Sequence, residues 1–415
     1  MGFSPTGGNI SGADDVAISN PVSSQVLAYD ATTQLWKNAN STGGSGDAAT
    51  PYGRVFLDNY PGASDDVKLT AALSEVAADT YPRTITLSAR AYTFTTNRTA
   101  FTGLRIEGPP GYGNPERGAT KMPSRVTLSM TGPWFVNPAN TDVFSVSFHQ
   151  LSFTGGSTAT LIGQNGSGTW YCLSMRDIFT SGLRTVLGTQ ATKLLITAAS
   201  FTGDWEINNC YNGAFHLGGS DNVLWSDGML LDSGTAFNGA GSAIGQYHVW
   251  CDYLQKSLIG PLYITAEGPW SGIRISGGSY NSASSNIGGP LTFAGLRIEG
   301  RNSNAPCDGS LVRLDGGYAN FRDCWFGYAM QSPVSQGHTP QDAGVIHISS
   351  GALLVDGCTY ARASGIAESV PFIFSNTTSP VRVRNIWAGE AWAGLPQVKQ
   401  VQAGGISADN SVIVV

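Results

Sequence analysis

The sequence predicts an all-β protein built as a solenoid of parallel strands, with a single helix near its beginning. Composition is the first observation: 53 of 415 residues are Gly and only 13% are charged, against about 25% in an average globular domain. A hydrophobic content of 41% excludes a disordered chain and suffices for a large core. From residue 101 onward, short β runs alternate with turn residues, and similar runs return at intervals of roughly 25 residues, as in a solenoid.

The chain opens with a small unit, residues 1–39, which is followed by a Gly- and Ser-rich linker over 40–51. Short β runs such as Gln25-Val-Leu-Ala-Tyr-Asp30 lie between Pro and Asx turns. A unit of this size cannot bury its apolar side chains alone. We therefore expect it to be stabilised by association with copies of itself.

The only clear helical pattern covers residues 65–78. Val67, Leu69, Ala72, Leu73 and Val76 fall roughly on one helix face. Ser64 or Asp65 is suited to cap the N-terminus. Alternating runs at 54–58, 84–88 and 92–95 predict strands before and after this helix.

Repeats give the period of the solenoid. Phe101-Thr-Gly-Leu-Arg-Ile-Glu-Gly108 returns as Phe293-Ala-Gly-Leu-Arg-Ile-Glu-Gly300, and an aromatic residue followed by a small turn, as in Tyr211-Asn-Gly, recurs several times. Both observations fit a turn of roughly 24 residues. Three Cys (210, 324 and 358) each follow a turn residue, which predicts small side chains buried beneath corners.

A tighter repeat relates Val223-Leu-Trp-Ser-Asp227 to His248-Val-Trp-Cys-Asp252. Residues one solenoid turn apart stack at the strand spacing of about 4.8 Å. The repeat therefore predicts a Trp225–Trp250 ladder beside an Asp227–Asp252 ladder.

Charge and motifs exclude several classes of protein. The net charge of −6, without a basic run, argues against nucleic acid as a partner. Because no stretch is long and apolar enough, we expect no signal peptide, no anchor and no membrane insertion. The spacing of the six Cys and five His indicates neither a zinc site nor a dense disulfide framework, so most of the thiols are expected to be buried. Phosphate-loop, Rossmann and serine-hydrolase motifs are missing, and we expect no cofactor and no metal.

The segment from Val55 to Phe94, with Gly62-Ala-Ser-Asp-Asp66 opening an Ala-rich helix, resembles the start of the pectate-lyase-like right-handed parallel β-helix superfamily. Arg90-Ala-Tyr92 replaces the usual Pro-Gly-x-Tyr turn there. The resemblance implies a right-handed parallel β-helix over residues 52–400, capped by the helix, and a period of roughly 25 residues gives it about eleven turns. Residues 401–415 are expected to form a C-terminal β tail.

The leader from Asp15 to Asn38, with Asp15-Val-Ala-Ile-Ser and Gln25-Val-Leu-Ala-Tyr-Asp30, is similar to a short module of bacteriophage tail fibres and minor tail proteins. Together with a β-helix, it resembles a phage tail spike or receptor-binding minor tail protein. The resemblance implies a homotrimer located in the virion and assembled in the host cytoplasm. It also implies contact with other tail proteins through residues 1–39, and a host cell-envelope polysaccharide as receptor.

Three functions remain open. The chain could bind a cell-surface glycan as receptor, cleave it as a glycoside hydrolase or lyase, or act as a purely structural fibre. Exposed aromatic side chains would stack on sugar rings, and the candidates are Trp225, Trp250, Tyr247 and Trp270. The last three could equally be core or subunit-interface aromatics.

Four carboxylates are candidates for catalysis. Stacked Asp227 and Asp252 would lie roughly 5 Å apart, within the range of a retaining glycosidase pair. Asp204 and Glu206, two residues apart on one strand, would be separated by roughly 6.5–7 Å, at the inverting end. Asp227 could instead only shape a corner beside Gly228, and the Trp pair could be an internal stack.

Overall fold

The structure of the 415-residue chain is a computed structural model. It describes residues 16–17, 25–30, 35–40, 53–79, 83–109, 123–203, 205–221, 224–225, 228–231, 247–255, 257–266, 271–276, 291–300, 310–328, 345–362, 372–375, 381–388, 398–400, 406–408 and 412–414. Within these ranges the protein is mostly β, with long parallel sheets and very few helices. Among the same residues, no helix has the length and apolar character needed to cross a membrane.

A three-stranded sheet occupies the leader. Gln25–Asp30 and Leu35–Asn40 pair antiparallel, and Val16–Ala17 pairs parallel with Leu35–Asn40. The β runs predicted within residues 1–39 are therefore strands.

All other strands belong to one large sheet in which every pairing is parallel. Its registers separate into three interleaved series, in which register partners lie on successive coils of the chain. Between Gly132 and Thr197, series 3 has two strands on each coil. Series 1 contains Arg54–Phe56, Thr84–Thr86, Arg105–Glu107, the first halves of Ser147–Gly155 and Ser174–Ser181, Ser200–Thr202, Leu224–Trp225, Ser257–Ile259, Leu291–Ala294, the second halves of Val312–Arg322 and Ile346–Asp356, Val381–Arg384 and Ile406–Ala408.

Series 2 follows series 1 along each coil. Its members are Ala91–Phe94, Arg125–Leu128, the second halves of Ser147–Gly155 and Ser174–Ser181, Trp205–Asn208, Gly228–Leu231, Leu262–Ala266, Leu296–Gly300, Trp325–Tyr328, Thr359–Arg362, Ile386–Ala388 and Val412–Val414.

Series 3 completes the coil. It contains Arg98–Thr99, Gly132–Val136, Val143–Phe144, Ala159–Gly163, Trp170–Tyr171, Thr185–Leu187, Leu194–Thr197, Phe215–Asp221, Tyr247–Gln255, Ser271–Ser276, the first halves of Val312–Arg322 and Ile346–Asp356, Ile373–Ser375 and Val398–Gln400. Pairing in series 1 and 2 continues past the expected boundary at residue 400, because Ile406–Ala408 pairs with Val381–Arg384, and Val412–Val414 with Ile386–Ala388. The parallel arrangement is consistent with a parallel β-helix.

The core lies between the series and is filled by alternate side chains of each strand. Register partners stack directly, as in the rings of Phe293 and Phe321, whose centroids are 4.7 Å apart with an interplanar angle of 6°. Trp134 is fully buried and contacts several aromatic rings, Phe94 and Phe135 among them. A contiguous apolar core of this kind is the main stabilising feature of the chain.

The corner between series 1 and series 2 repeats the same backbone conformation from coil to coil. Gly295, Asp323, Gly357 and Asn385 all have positive φ, between 49° and 66°. This left-handed conformation favours Gly, Asn and Asp. Stacked corners of one geometry let successive strands keep their register.

Cysteine lies beneath these corners, as the sequence predicted. Cys324 and Cys358 follow Asp323 and Gly357 and are buried, and Cys210 is buried after Asn209, which also has positive φ. Within the described part of the chain, none of these three forms a disulfide, and neither does buried Cys251. Among the described cysteines, Cys172 alone is exposed.

The helix spans Asp65–Ala78, as predicted, and Ser64 is its N-cap, with the Ser64 hydroxyl accepting from the Val67 amide at 3.3 Å. Its Leu69, Ala72 and Val76 are buried. Val67, expected on the apolar face, is 51% exposed.

The paired aspartates at the helix start tie the helix to the first strands. Asp65 accepts from the Thr93 amide at 2.9 Å and from Arg90 at 2.8 Å. Asp66 accepts from the Thr95 amide at 2.7 Å and forms a 3.0 Å ion pair with Arg98. Carboxylates in the first helical turn also complement the helix dipole.

Arg90, the departure from the expected turn, completes this network. Its guanidinium lies 3.7 Å from the ring centroid of Tyr92 and bonds to Asp58 at 2.9 Å. Burial by itself raises the pKa of Asp58, but hydrogen bonds from Arg90 and Tyr92 lower that pKa to about 2. Asp58 therefore stays ionised in acid in which free carboxyls are protonated.

This network predicts a specific acid sensitivity. The pKa of Asp58 is depressed in the folded state, so its contribution to stability is complete above the unfolded pKa of about 3.9 and is lost as the pH falls towards 2. We expect Asp58→Asn to lower the free energy of unfolding at pH 6 and to differ little from the wild type near pH 2. Urea titrations at pH 6, 4 and 2 test this, and a stability difference that is equal at all three values would contradict it.

The structure contradicts one predicted repeat, Phe101–Gly108 and Phe293–Gly300. Arg105-Ile-Glu107 lies in series 1, whereas Arg297-Ile-Glu299 lies in series 2. The offset between them is therefore not a whole number of coils. The two segments share a local alternation of outward polar and inward apolar side chains.

Candidate functional site

Two groups of outward-facing side chains are considered, one on series 3 and one on series 2. The first, called the Trp250 cluster, consists of Lys193, Trp250, Asp252, Arg274 and Ser276. Trp250 and Asp252 alternate with Val249 and Cys251, which are fully buried in the core. Trp250 and Asp252 therefore point the same way, away from the core.

The indole of Trp250 is covered by two cations. The Lys193 Nζ lies 4.4 Å from a ring centroid of Trp250, and the Arg274 guanidinium carbon lies 4.2 Å from it. Tyr247 packs edge-on at 5.8 Å between centroids. Trp250 is consequently only 8% exposed, and its ring interacts with cations of the chain itself.

The carboxylate of Asp252 is also bound by neighbouring side chains. It accepts from Trp250 Nε1 at 3.0 Å and also from the Lys193 ammonium and the Ser276 hydroxyl. Ser276 Oγ lies 2.6 Å from Trp250 Nε1 as well. The carboxylate is thus charge-paired and hydrogen-bonded within the cluster.

The next coil extends the network through Asp315, the register partner of Ser276. Asp315 pairs with Arg274 at 2.9 Å and with Arg313 at 2.9 Å. Burial by itself raises the pKa of Asp315, but hydrogen bonds from Ser349 and Arg313 hold that pKa below its ordinary value. The charges along this face therefore alternate and neutralise one another.

His216 is the register partner of Trp250 on the preceding coil, that is, one rung before it. Its Nε2 donates to the Asn212 carbonyl at 2.6 Å, and its buried Nδ1 has no hydrogen-bond partner among the described residues. Burial lowers the pKa of His216 to about 4. The imidazole is therefore neutral at pH 7.

We expect the Asp315 pairing to matter for stability. Asp315→Ala leaves Arg274 and Arg313 without their shared acceptor and should cost roughly 2 kcal/mol, since a hydrogen bond to a charged group contributes about 1.5–3 kcal/mol. Arg176→Ala removes a more exposed pair, Arg176–Asp177 at 3.4 Å, and should change stability by less than about 0.5 kcal/mol. Equal losses in chemical denaturation would contradict a stabilising role for Asp315.

The second group, called the aromatic ladder, consists of Tyr263, Arg297, Trp325, Thr359 and Trp387. These residues are consecutive register partners on the outward side of series 2. Aromatic rings therefore occupy every second rung, at intervals of roughly 9.5 Å for a strand spacing of about 4.8 Å.

Polar groups lie between and beside the rings of the aromatic ladder. The Arg297 guanidinium carbon lies 5.2 Å from the Tyr263 ring centroid and 4.8 Å from that of Trp325. Glu299 accepts from the Tyr263 hydroxyl at 2.7 Å and lies 4.0 Å from Arg297. A guanidinium and a carboxylate thus lie next to aromatic surface.

Trp325 and Trp387 differ in how they are held. A Cβ at Gly327 would lie 2.2 Å from the six-membered ring of Trp325, so this ring fills the space above the glycine. Trp387 is 46% exposed and is among the few large hydrophobic side chains exposed on the described surface. An exposed aromatic residue on a rigid strand is a typical element of a binding surface.

The sequence-predicted residues are not brought together as one site. Tyr247, Trp250 and Asp252 belong to the Trp250 cluster. Glu206 lies on series 2, two rungs before Tyr263, where it is 3% exposed and accepts from Asn208 at 2.7 Å. Asp204, Asp227 and Trp270 lie outside the described residues.

The expected ladder of Trp225 and Trp250 is wrong. Trp225 pairs with Phe201 and Ile259 in series 1, whereas Trp250 pairs with His216 and Arg274 in series 3. The register partner of Trp225 on the following coil is Ile259, which lies further along the chain than Trp250. The spacing between the two copies of the motif is therefore shorter than this coil, and the second copy lies on another strand series.

Sequence reasoning missed the aromatic ladder. Its members are separated by unequal intervals, since more of the chain lies between Tyr263 and Arg297 than between Arg297 and Trp325. The usable signal was Trp325-Phe-Gly327, because a glycine two residues after an aromatic in a strand leaves room for the ring.

Among the described residues, no group of three His, Cys, Asp or Glu side chains is arranged to hold a metal ion.

Comparison with known proteins places the chain among β proteins with long parallel sheets. No family model matches the sequence, and neither does any curated protein. DFA-IIIase from Arthrobacter chlorophenolicus A6 without its lid superposes with a TM-score of 0.54 at 12% identity, over 86% of this chain and 92% of that chain. The same protein in complex with GF2 gives a TM-score of 0.54 at 14% identity, over 86% of each chain.

A phage protein is also among the structural matches. ORF18 of Geobacillus virus E2 superposes with a TM-score of 0.46 at 12% identity, over 93% of this chain and 68% of that chain. At these identities the two DFA-IIIase superpositions, whose TM-scores exceed 0.5, show a similar fold.

Proposed function

We propose that this chain is a bacteriophage tail spike or minor tail protein that binds a host cell-surface glycan through the aromatic ladder. The observation that carries the proposal is the alternation of Tyr263, Trp325 and Trp387 with Arg297 and Thr359 on one outward strand series. The proposal assigns the ladder, rather than the Trp250 cluster, to the glycan.

The chemistry of the ladder suits a polysaccharide. The apolar C–H faces of sugar rings pack on aromatic side chains, while their hydroxyls bond to the guanidinium of Arg297 and the carboxylate of Glu299. Rings at intervals of roughly 9.5 Å along a straight series match a polymer that presents similar faces repeatedly. Strands hold the rings rigidly, which limits the entropy lost on binding.

The Trp250 cluster is less suited to this role. Its indole is covered by Lys193 and Arg274, and its carboxylate is paired with Lys193. A sugar would have to displace these contacts before it could stack. We therefore propose that Tyr247 and Trp250 serve the stability of series 3.

The virion assignment rests on the leader and on the fold. The leader resembles a tail-fibre module, and we propose that residues 1–39 attach the protein to other tail proteins and support a homotrimer. The three parallel series favour a right-handed parallel β-helix from residue 52 onward. Helix Asp65–Ala78, which packs against the first strands, would cap its open end.

The sugar assignment does not rest on the structural neighbours. DFA-IIIase has been crystallised in complex with DFA-III and with GF2. At 13–14% identity this likeness carries the fold alone. The ladder supplies the argument for a glycan ligand.

A glycan array with the purified full-length chain tests the proposal. We expect binding to at least one bacterial surface polysaccharide, and no binding across a broad array would favour a structural fibre. An assay for new reducing ends on the bound polysaccharide then separates a receptor-binding protein from a depolymerase. Sedimentation should give a trimer, and a monomer at micromolar concentration would contradict the proposed assembly.

A further inference from the structure

A separate cavity lies on the outward side of series 1, near the beginning of the parallel sheet. It has a volume of about 280 Å³ and is lined by Arg105, Glu107, Ser147, His149, Cys172 and Ser174, among others. This volume is just below the roughly 300–1,000 Å³ of pockets for drug-sized ligands. It therefore has room for one sugar ring rather than for an oligosaccharide.

Among the described residues that line the cavity or pair with its lining, positive charges outnumber negative ones by one. Glu107 is paired with Arg54 at 3.0 Å, and Asp177, two coils later, is paired with Arg176 at 3.4 Å. Arg105 has no ion-pair partner among the described residues. The charge that remains unpaired within this described group is therefore the guanidinium of Arg105, and a guanidinium binds carboxylates in a bidentate geometry.

His149 supplies a neutral hydrogen-bonding group. Its Nε2 lies 3.2 Å from Ser174 Oγ. Burial lowers the pKa of His149, and the charges that act on it come from Glu107 and Arg105 on the coil before it and from Arg176 and Asp177 on the coil after it. The imidazole is thus uncharged at pH 7 and, together with the serine hydroxyls, can bond to sugar hydroxyls.

We propose that this cavity is a second carbohydrate site, which takes a single sugar residue carrying a carboxylate, with Arg105 as the carboxylate-binding residue. The choice of a sugar as the carrier of the carboxylate rests on the proposed function. The site itself is independent of the aromatic ladder, because the ladder lies on another strand series and on later coils. The acidic residue of a surface polysaccharide, or its free end, would occupy it.

Cys172 allows occupancy to be measured directly. It lines the cavity and is the exposed cysteine of the described chain, whereas Cys210, Cys251, Cys324 and Cys358 are buried. Alkylation by iodoacetamide, followed by peptide mass mapping at Cys172, reports whether the cavity is filled. This readout requires neither cleavage nor binding of a polymer.

The experiment uses the full-length chain with glucuronate, glucose or inorganic phosphate as the added probe. Glucuronate at ten times its Kd should slow alkylation of Cys172 by about tenfold, and glucose should have little effect. Arg105→Gln should weaken glucuronate binding about tenfold, since it removes a charge-assisted contact. Arg125→Gln is the matched control, because Arg125 is also exposed and unpaired in the described structure but lies on series 2.

Each outcome bears on the proposal. Absence of protection by glucuronate would overturn it, as would equal losses in Arg105→Gln and Arg125→Gln. Equal protection by phosphate would overturn the sugar assignment, and equal protection by glucose would overturn the role of the carboxylate. A Trp325→Ala/Trp387→Ala variant should retain Cys172 protection, so failure of the ladder and failure of this cavity can be told apart.

Discussion

Replacing Trp325 and Trp387 together by Ala is expected to weaken glycan binding by roughly a hundredfold or more. Truncation of a central aromatic contact costs roughly 2 kcal/mol or more, and about 1.4 kcal/mol corresponds to a factor of ten in Kd. Both rings lie on the outward side of series 2, so their removal leaves the stacked core rings, such as Phe293 and Phe321, in place. The Kd for the array-selected polysaccharide is the quantity to measure.

Two further variants sharpen this prediction. Phe144 is 45% exposed, nearly as much as Trp387, but lies on series 3, so Phe144→Ala should leave Kd unchanged. Gly327→Ala keeps both indoles but pushes the Trp325 ring out of its place, and we expect an intermediate loss of affinity. If Phe144→Ala weakens binding as much as the double Trp variant, the ladder is not the glycan site.

Gly213→Ala is expected to cost about 3 kcal/mol or more of the free energy of unfolding. Gly213 has φ +86°, and a Cβ there would lie 2.1 Å from the Tyr247 carbonyl oxygen, a backbone atom of the next coil. Strain of a non-glycine residue in this region costs roughly 1–3 kcal/mol, and the clash adds to it, because the coils cannot separate without breaking their ladder.

Gly156→Ala provides the control for this substitution. A Cβ at Gly156 meets no atom within 4 Å, and its φ is not positive. We expect this variant to unfold at nearly the wild-type denaturant concentration, or slightly above it, because Ala restricts the unfolded chain. Comparable midpoints for both variants in urea would disprove the constraint at Gly213.

Local signals along the chain were sufficient for several elements. The helix Asp65–Ala78 and its Ser64 cap follow from apolar spacing and capping chemistry, which involve residues close in sequence. Turn glycines of the aromatic-small motifs, such as Gly103, Gly203 and Gly213, do have positive φ. Burial of Cys324 and Cys358 after corner residues was likewise predictable.

Long-range register was beyond the reach of sequence spacing. Trp225 and Trp250 share a motif but occupy different series, because the coil after Trp225 extends past Trp250 to its register partner Ile259. Tyr263, Trp325 and Trp387 share no motif, yet the register aligns them. Loops tolerate insertions at low cost, so the length of chain in a coil varies while the strand spacing does not.

The sequence by itself determined the all-β class, the single helix and the turn positions, since each depends on local conformation and on the alternation of side chains along a strand. Only the tertiary structure decided which residues share a rung, and hence that Lys193 and Arg274 cover Trp250 while Trp387 is exposed. The physical reason is that pairing between coils depends on hydrogen bonds and core packing between segments far apart in the chain, whose separation is not constant.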